Sequence, residues 1–251
     1  MITLILSTTL MGCAGGGVPW VTPEPSDPGA QAVAVARTAL VADLLMAEFA
    51  SPLMGDVEGG SCPEIRRVRD GDETTWELAY GEGCVPESGL LDVELAGTVA
   101  LKAEEDVASV GFDGFAIDGL DLGGAGLGQI DDRGDGELQA ALDLELGTDD
   151  GDFVLVRTLD LRMEQLGVTL AGSAGLGVGG SETTLVVDGV GVYYDDVADG
   201  CAMPSSGAIT LGGATDGTLS FSATAASEGL VTVETSGSVE EVRYCAIETL
   251  F

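Results

Sequence analysis

The sequence predicts an all-β domain, a mainly antiparallel meander forming a curved sheet or a sandwich, with one N-terminal helix. Over most of the chain apolar and polar residues alternate with period two, which puts apolar side chains on one face of each short segment. Between segments lie short runs of Gly, Asp and Ser. These suit tight turns between antiparallel neighbours, whereas parallel strands need long crossovers. One stretch near the start lacks the alternation and is rich in Ala, Leu and Met, as a helix requires.

That stretch is "DPGAQAVAVARTALVADLLMAEFA", with Asp27 as a cap and Pro28 at an allowed first-turn position, so a helix is expected over 29–50. It is apolar enough to lie against a sheet. The segment from Cys62 to Cys84 reads as a hairpin, two strands about a turn at Asp70-Gly71-Asp72-Glu73. Further strands are expected near 90–102 and 107–118. In "ELQAALDLEL", Leu138, Ala140, Leu142, Leu144 and Leu146 share one face, opposite Gln139, Asp143 and Glu145. The same pattern marks 153–164, 167–178, 183–194, 207–212, 230–235 and 238–247. "TLSFSATA" continues it, with Leu219, Phe221 and Ala223 on one side. The runs "DDRGDG", "GTDDGD", "ATDG", "SEG" and "TSG" mark turns. A faint internal repeat links "GCVPESGLLDVEL" from Gly83 with "GCAMPSSGAITL" from Gly200, and it reads as one way of entering a strand after a disulfide.

Length and composition suit one domain with a packed core: 251 residues, 45% hydrophobic. Nine Lys and Arg against 43 Asp and Glu leave a formal net charge of -34, which repels phosphate backbones and excludes nucleic acid as a partner. Arg66, Arg67 and Arg69 concentrate a third of the positive charge on one strand, where pairing with neighbouring carboxylates is expected.

No catalytic residue stands out. The chain has no His, so Ser-His-Asp and Cys-His arrangements are impossible, and no SxxK motif replaces them. "GLGVGG" at 175–180 fits GxGxxG, but "SETTLVV" follows where a helix should open, so no nucleotide site and no cofactor is implied. Asp131, Asp132, Asp135, Asp149, Asp150 and Asp152 are hard oxygen ligands of the kind Ca²⁺ takes. Yet counting from Asp131 as position 1 of an EF-hand puts Arg133 at position 3 and Leu142 at position 12. No metal site is expected, and the Arg133 to Asp135 tripeptide "RGD" is read as part of a turn. Carboxylate pairs of the glycosidase type remain conceivable, but none is singled out.

The cysteines carry more. Ile2 to Met11 is apolar and uncharged, about the length of a secretory signal core and too short to span a bilayer. It ends at Leu10-Met11-Gly12-Cys13, which resembles the lipobox of bacterial lipoproteins through Leu10, Gly12 and Cys13. The resemblance implies cleavage before Cys13, a diacylglycerol on its thiol and an acyl chain, typically palmitate, on the new amino group. The chain would then comprise a signal peptide (1–12), a lipidated Cys13 with a Gly- and Pro-rich tether (13–28) and one β-rich domain (29–251), with the membrane as partner through the anchor. Ala14, where many enterobacterial lipoproteins kept at the inner membrane have Asp, points to the outer membrane. In that compartment disulfides persist. The hairpin pairs Cys62 with Cys84 at its open end and leaves Cys201 for Cys245. The expected role is therefore a non-catalytic, structural or binding one in the cell envelope, toward a protein or glycan that the sequence does not name. A hydrolase of envelope polymers and an outer-membrane β-barrel are the alternatives.

Overall fold

The computed structural model describes residues 27–51, 60–70, 73–86, 91, 93–104, 107–134, 137–164, 166–193, 197–198 and 201–247. Its first element is the helix α1 (Pro28–Ala50). The Asp27 carboxylate accepts the Ala30 N–H at 3.0 Å, and Pro28 occupies a position whose missing N–H has no partner to lose. Apart from Pro28 and Gln31 every residue of α1 is buried. A helix apolar on all sides gains only if it is enclosed on all sides, and the sheet supplies the enclosure.

The strands follow in chain order: β1 (Glu64–Asp70), β2 (Glu73–Cys84), β3 (Leu95–Glu104), β4 (Val107–Ile117), β5 (Leu120–Asp121), β6 (Gly123–Gly134), β7 (Glu137–Gly147), β8 (Phe153–Glu164), β9 (Gly167–Val178), β10 (Ser181–Tyr193), β11 (Val197–Ala198), β12 (Cys201–Ala202), β13 (Ser206–Gly213), β14 (Gly217–Ser220), β15 (Leu230–Thr235) and β16 (Ser238–Arg243). All but β11 and β12 form one open, curved antiparallel sheet of 14 strands, ordered β1-β2-β3-β4-β6-β7-β8-β9-β10-β13-β14-β15-β16, with β5 paired to β4. Strand neighbours in space are nearly always neighbours in sequence, as the short turns required.

The alternation read from the sequence is the alternation of the faces. Leu138, Ala140, Leu142, Leu144 and Leu146 of β7 are buried on the concave side, with Leu155, Leu159 and Leu161 of β8 beside them. Asp143, Glu145, Thr158, Asp160, Arg162, Ser173, Glu182 and Asp188 point outward and are exposed. Across the concave side α1 runs obliquely. A Cβ on Gly29 would overlap the Glu240 carboxylate of β16, whereas Phe49 packs its ring 6.3 Å from Tyr80 of β2 and 5.8 Å from Phe115 of β4. The helix therefore ties the two ends of the sheet together.

Curvature comes from glycine-built irregularities. The β10–β13 register shifts between Asp188 and Gly191, and Gly207 sits there at φ +90°, where a Cβ would collide with the carbonyl of Gly189. The β3–β4 register shifts between Ala96 and Thr98 in the same way, with Gly97 at φ +84° against Gly114. Both partner strands carry Asp-Gly at the bulge, Asp113-Gly114 and Asp188-Gly189.

Both disulfides form as expected, Cys62 with Cys84 and Cys201 with Cys245, with Cα–Cα distances of 6.0 and 5.8 Å. The hairpin register, Glu64↔Ala79 to Asp70↔Glu73, continued outward would set Cys62 opposite Gly81. β2 shifts register against β3 at Gly81 and again before Cys84, and it is Cys84 rather than Gly81 that meets Cys62. In the second bridge, Cys245 lies in a 3₁₀ turn (Tyr244–Ala246) after β16.

Three expectations are corrected. The strand through Ala223 stops at Ser220: the Ser222 hydroxyl accepts the Ala225 N–H at 3.3 Å and caps a single helical turn, α2 (Ala223–Ala226), while Phe221 stays buried. The last strand stops at Arg243 rather than 247, because the 3₁₀ turn takes over at Tyr244. The run read as a turn at "DDRGDG" belongs partly to β6, a strand whose glycines carry no alternation to read; at Gly128 a Cβ would collide with the Ala141 carbonyl of β7. Asp135 and Gly136 of that run, like Gly71 and Asp72 of the first hairpin, lie outside the described residues.

Alanine at Gly207 places a Cβ against backbone that cannot yield, in a conformation L-residues rarely adopt. Gly207→Ala is expected to cost more than about 1 kcal/mol in urea unfolding, and Gly212→Ala on the same strand less than that. Equal losses at both positions would remove the bulge as the cause.

Candidate functional site

The chemistry that the chain concentrates lies where α1 meets the middle of the sheet. On β8 the inward positions are Phe153, Leu155, Arg157, Leu159, Leu161 and Met163, one charge in an apolar row. Arg157 and Asp43 of α1 are both fully buried and meet as a bidentate pair, Nε to Oδ1 at 2.7 Å and Nη2 to Oδ2 at 2.8 Å. The guanidinium also donates from Nη1 to the Thr158 carbonyl at 2.6 Å and from Nη2 to the Ala171 carbonyl at 3.2 Å. Room for this comes from Gly172, at φ +117°, where a Cβ would stand 3.0 Å from Nη1 and collide with the Thr158 carbonyl. Burial pushes the Asp43 carboxyl above the usual carboxylate range, and the hydrogen bonds and charge of Arg157 pull it back.

Two further ionisable residues of α1 are buried. Arg37 lies 5.4 Å from the Tyr244 ring centroid, and burial lowers its basicity while the phenol opposes the shift. Glu48 lies by Tyr80, whose hydroxyl is pushed far up, first by burial and then by the Glu48 charge. Phe49, Tyr80, Phe112 and Phe115 pack there edge to face or tilted, with centroids 5.1–6.3 Å apart. This end of the core is filled by rings rather than open to a ligand.

Elsewhere the side chains singled out from the sequence serve local structure. Arg66 pairs with Glu64 at 2.9 Å with both exposed, and Arg67 stacks 5.4 Å from the Trp76 ring centroid. Asp150 accepts the Thr148 hydroxyl at 2.6 Å and the Asp152 N–H at 3.1 Å, which closes the β7–β8 turn. Among the described residues no group of three potential ligands could hold a metal ion. Asp131, Asp132 and Arg133 lie on β6, but their side chains, like Asp135, are outside the described residues. "GLGVGG" ends β9 and turns into β10 with no helix after it. A wide-mouthed groove of about 450 Å³ beside Gly124, Glu145, Gly147 and Asp149 opens at the ends of β6 and β7. Cys13 and the segment before it lie outside the described residues.

The sequence reading missed Asp43 and Arg157. The signal was present, since Arg157 breaks the inward row of β8 and Asp43 interrupts "TALVADLLMA". No known protein family, curated protein or solved structure matches the chain.

Arg157→Met leaves the Asp43 carboxylate without its partner in the core, and urea unfolding at neutral pH is expected to show a loss of about 3–5 kcal/mol. A loss below about 1 kcal/mol would mean that the pair is dispensable. At the β7–β8 turn, the Thr148 hydrogen bond, and after it that of the Asp152 amide, depresses the Asp150 carboxyl. A depressed folded value favours the ionised turn above the ordinary pKa near 3.9, and the benefit is lost as pH falls through the folded value. Thr148→Val should therefore raise the Asp150 midpoint followed by carboxyl ¹³C NMR.

Proposed function

We propose that this chain is a lipid-anchored cell-envelope protein with a structural or binding role rather than a catalytic one. The observation that supports it best is the filled concave face. An enzyme on a curved sheet would use that face as a cleft with facing acids. Here α1 occupies it, and Asp43 is bound by Arg157. The outward rows of Asp, Glu, Thr and Arg favour an aqueous setting for the sheet over a lipid one. Among the described residues no helix is long and apolar enough to cross a membrane; attachment in this reading comes from Cys13. The two disulfides favour an oxidising compartment outside the cytoplasm. The outer membrane is the expected site, on the strength of Ala14 beside the lipobox.

The anchor is tested by growing cells with labelled palmitate. Label should enter the wild type and stay with the membrane fraction, and Cys13→Ser should abolish both. An unlabelled, freely soluble wild type would refute the anchor and the localisation that depends on it.

A further inference from the structure

We propose that the Asp43–Arg157 pair is a register key, selecting one axial position and one rotation for α1 among those its apolar surface would accept. The surface of the helix is repetitive. "AVAVA" opens it at 32–36, and Ala39, Ala42, Ala47 and Ala50 follow. Leu40 and Leu44 stand one turn apart, as do Val41 and Leu45. Sliding the helix by one turn thus replaces many apolar groups by others of similar character, and cores tolerate such exchanges. It also carries Ala39 or Ala47 to the place of Asp43, and neither can answer a guanidinium. Two uncompensated charges would then lie in the core.

The sheet fixes its half of the key by itself. Carbonyls of Thr158 and Ala171 hold the guanidinium from two adjacent strands, and Gly172 leaves space for it and for nothing larger than hydrogen on its own Cα. Arg37 and Glu48, the other buried charges of α1, carry longer side chains with more torsions to adjust. Asp43, with one methylene, can adjust least. Buried ion pairs contribute little net stability against well-packed apolar residues, while their best-attested use is to specify register.

The test is the double variant Asp43→Leu/Arg157→Met, with Asp43→Ala/Arg157→Met made alongside to remove overpacking at position 43 as a cause of any failure. Each is followed by urea unfolding and by methyl NMR of Leu40, Leu44, Leu45 and Met46. A folded protein with an unfolding midpoint at or near the wild-type value is expected, but with these methyl signals split into several sets or broadened where the wild type gives one. A single sharp set with wild-type contacts between α1 and β8 would overturn the proposal. Failure of both variants to fold would overturn it too, because the pair would then be needed for stability rather than for the choice of register.

Discussion

A helix with apolar residues on every side has to be enclosed, and most of this architecture follows from that requirement. An amphipathic helix could rest on a flat sheet with one face in water. Because α1 buries nearly its whole surface, the sheet has to curve around it, and glycines at the bulges of β3–β4 and β10–β13 let it do so. The same requirement explains why the contacts of α1 come from distant parts of the chain: Tyr80 and Phe115 near one end of the sheet, Arg157 at its middle, Tyr244 beyond the other end. Among the described residues the buried apolar side chains form a single core.

Charge is distributed by the same division between inside and outside. Of the nine cationic residues, Arg157 and Arg37 are in the core, and Arg66 and Arg162 are paired with Glu64 and Glu164 on their own strands. Little positive charge is left to offset the outward carboxylates. Copies of the chain should repel one another at low ionic strength and approach more freely in salt.

The fold was legible because its strands alternate. Where side chains mark the inward face, as in β7, β8 and β9, even the ends of the strands could be read; the hairpin made the Cys62–Cys84 bridge expected, although its register alone points Cys62 at Gly81. Legibility failed where side chains are missing or where a local hydrogen bond competes. β6 has five glycines in twelve residues and shows no period, and the Ser222 cap turns an alternating run into a helical turn. The polar centre of the core was hidden for another reason. Arg157 and Asp43 are 114 residues apart, and each alone looks like a defect in an apolar pattern; only the folded sheet makes them partners.

The position of α1 ahead of every strand that covers it has a consequence for biosynthesis. Its neighbours include β13 to β16, the last strands among the described residues and so made well after it, and both partners of the second disulfide lie beyond residue 200. Until those strands arrive, the helix has only part of its enclosure, and the nascent chain must carry a largely apolar 23-residue segment incompletely covered. Truncated chains therefore keep the most adhesive part and lack the strands that cover it. Closing the core over α1 therefore waits on β13 to β16.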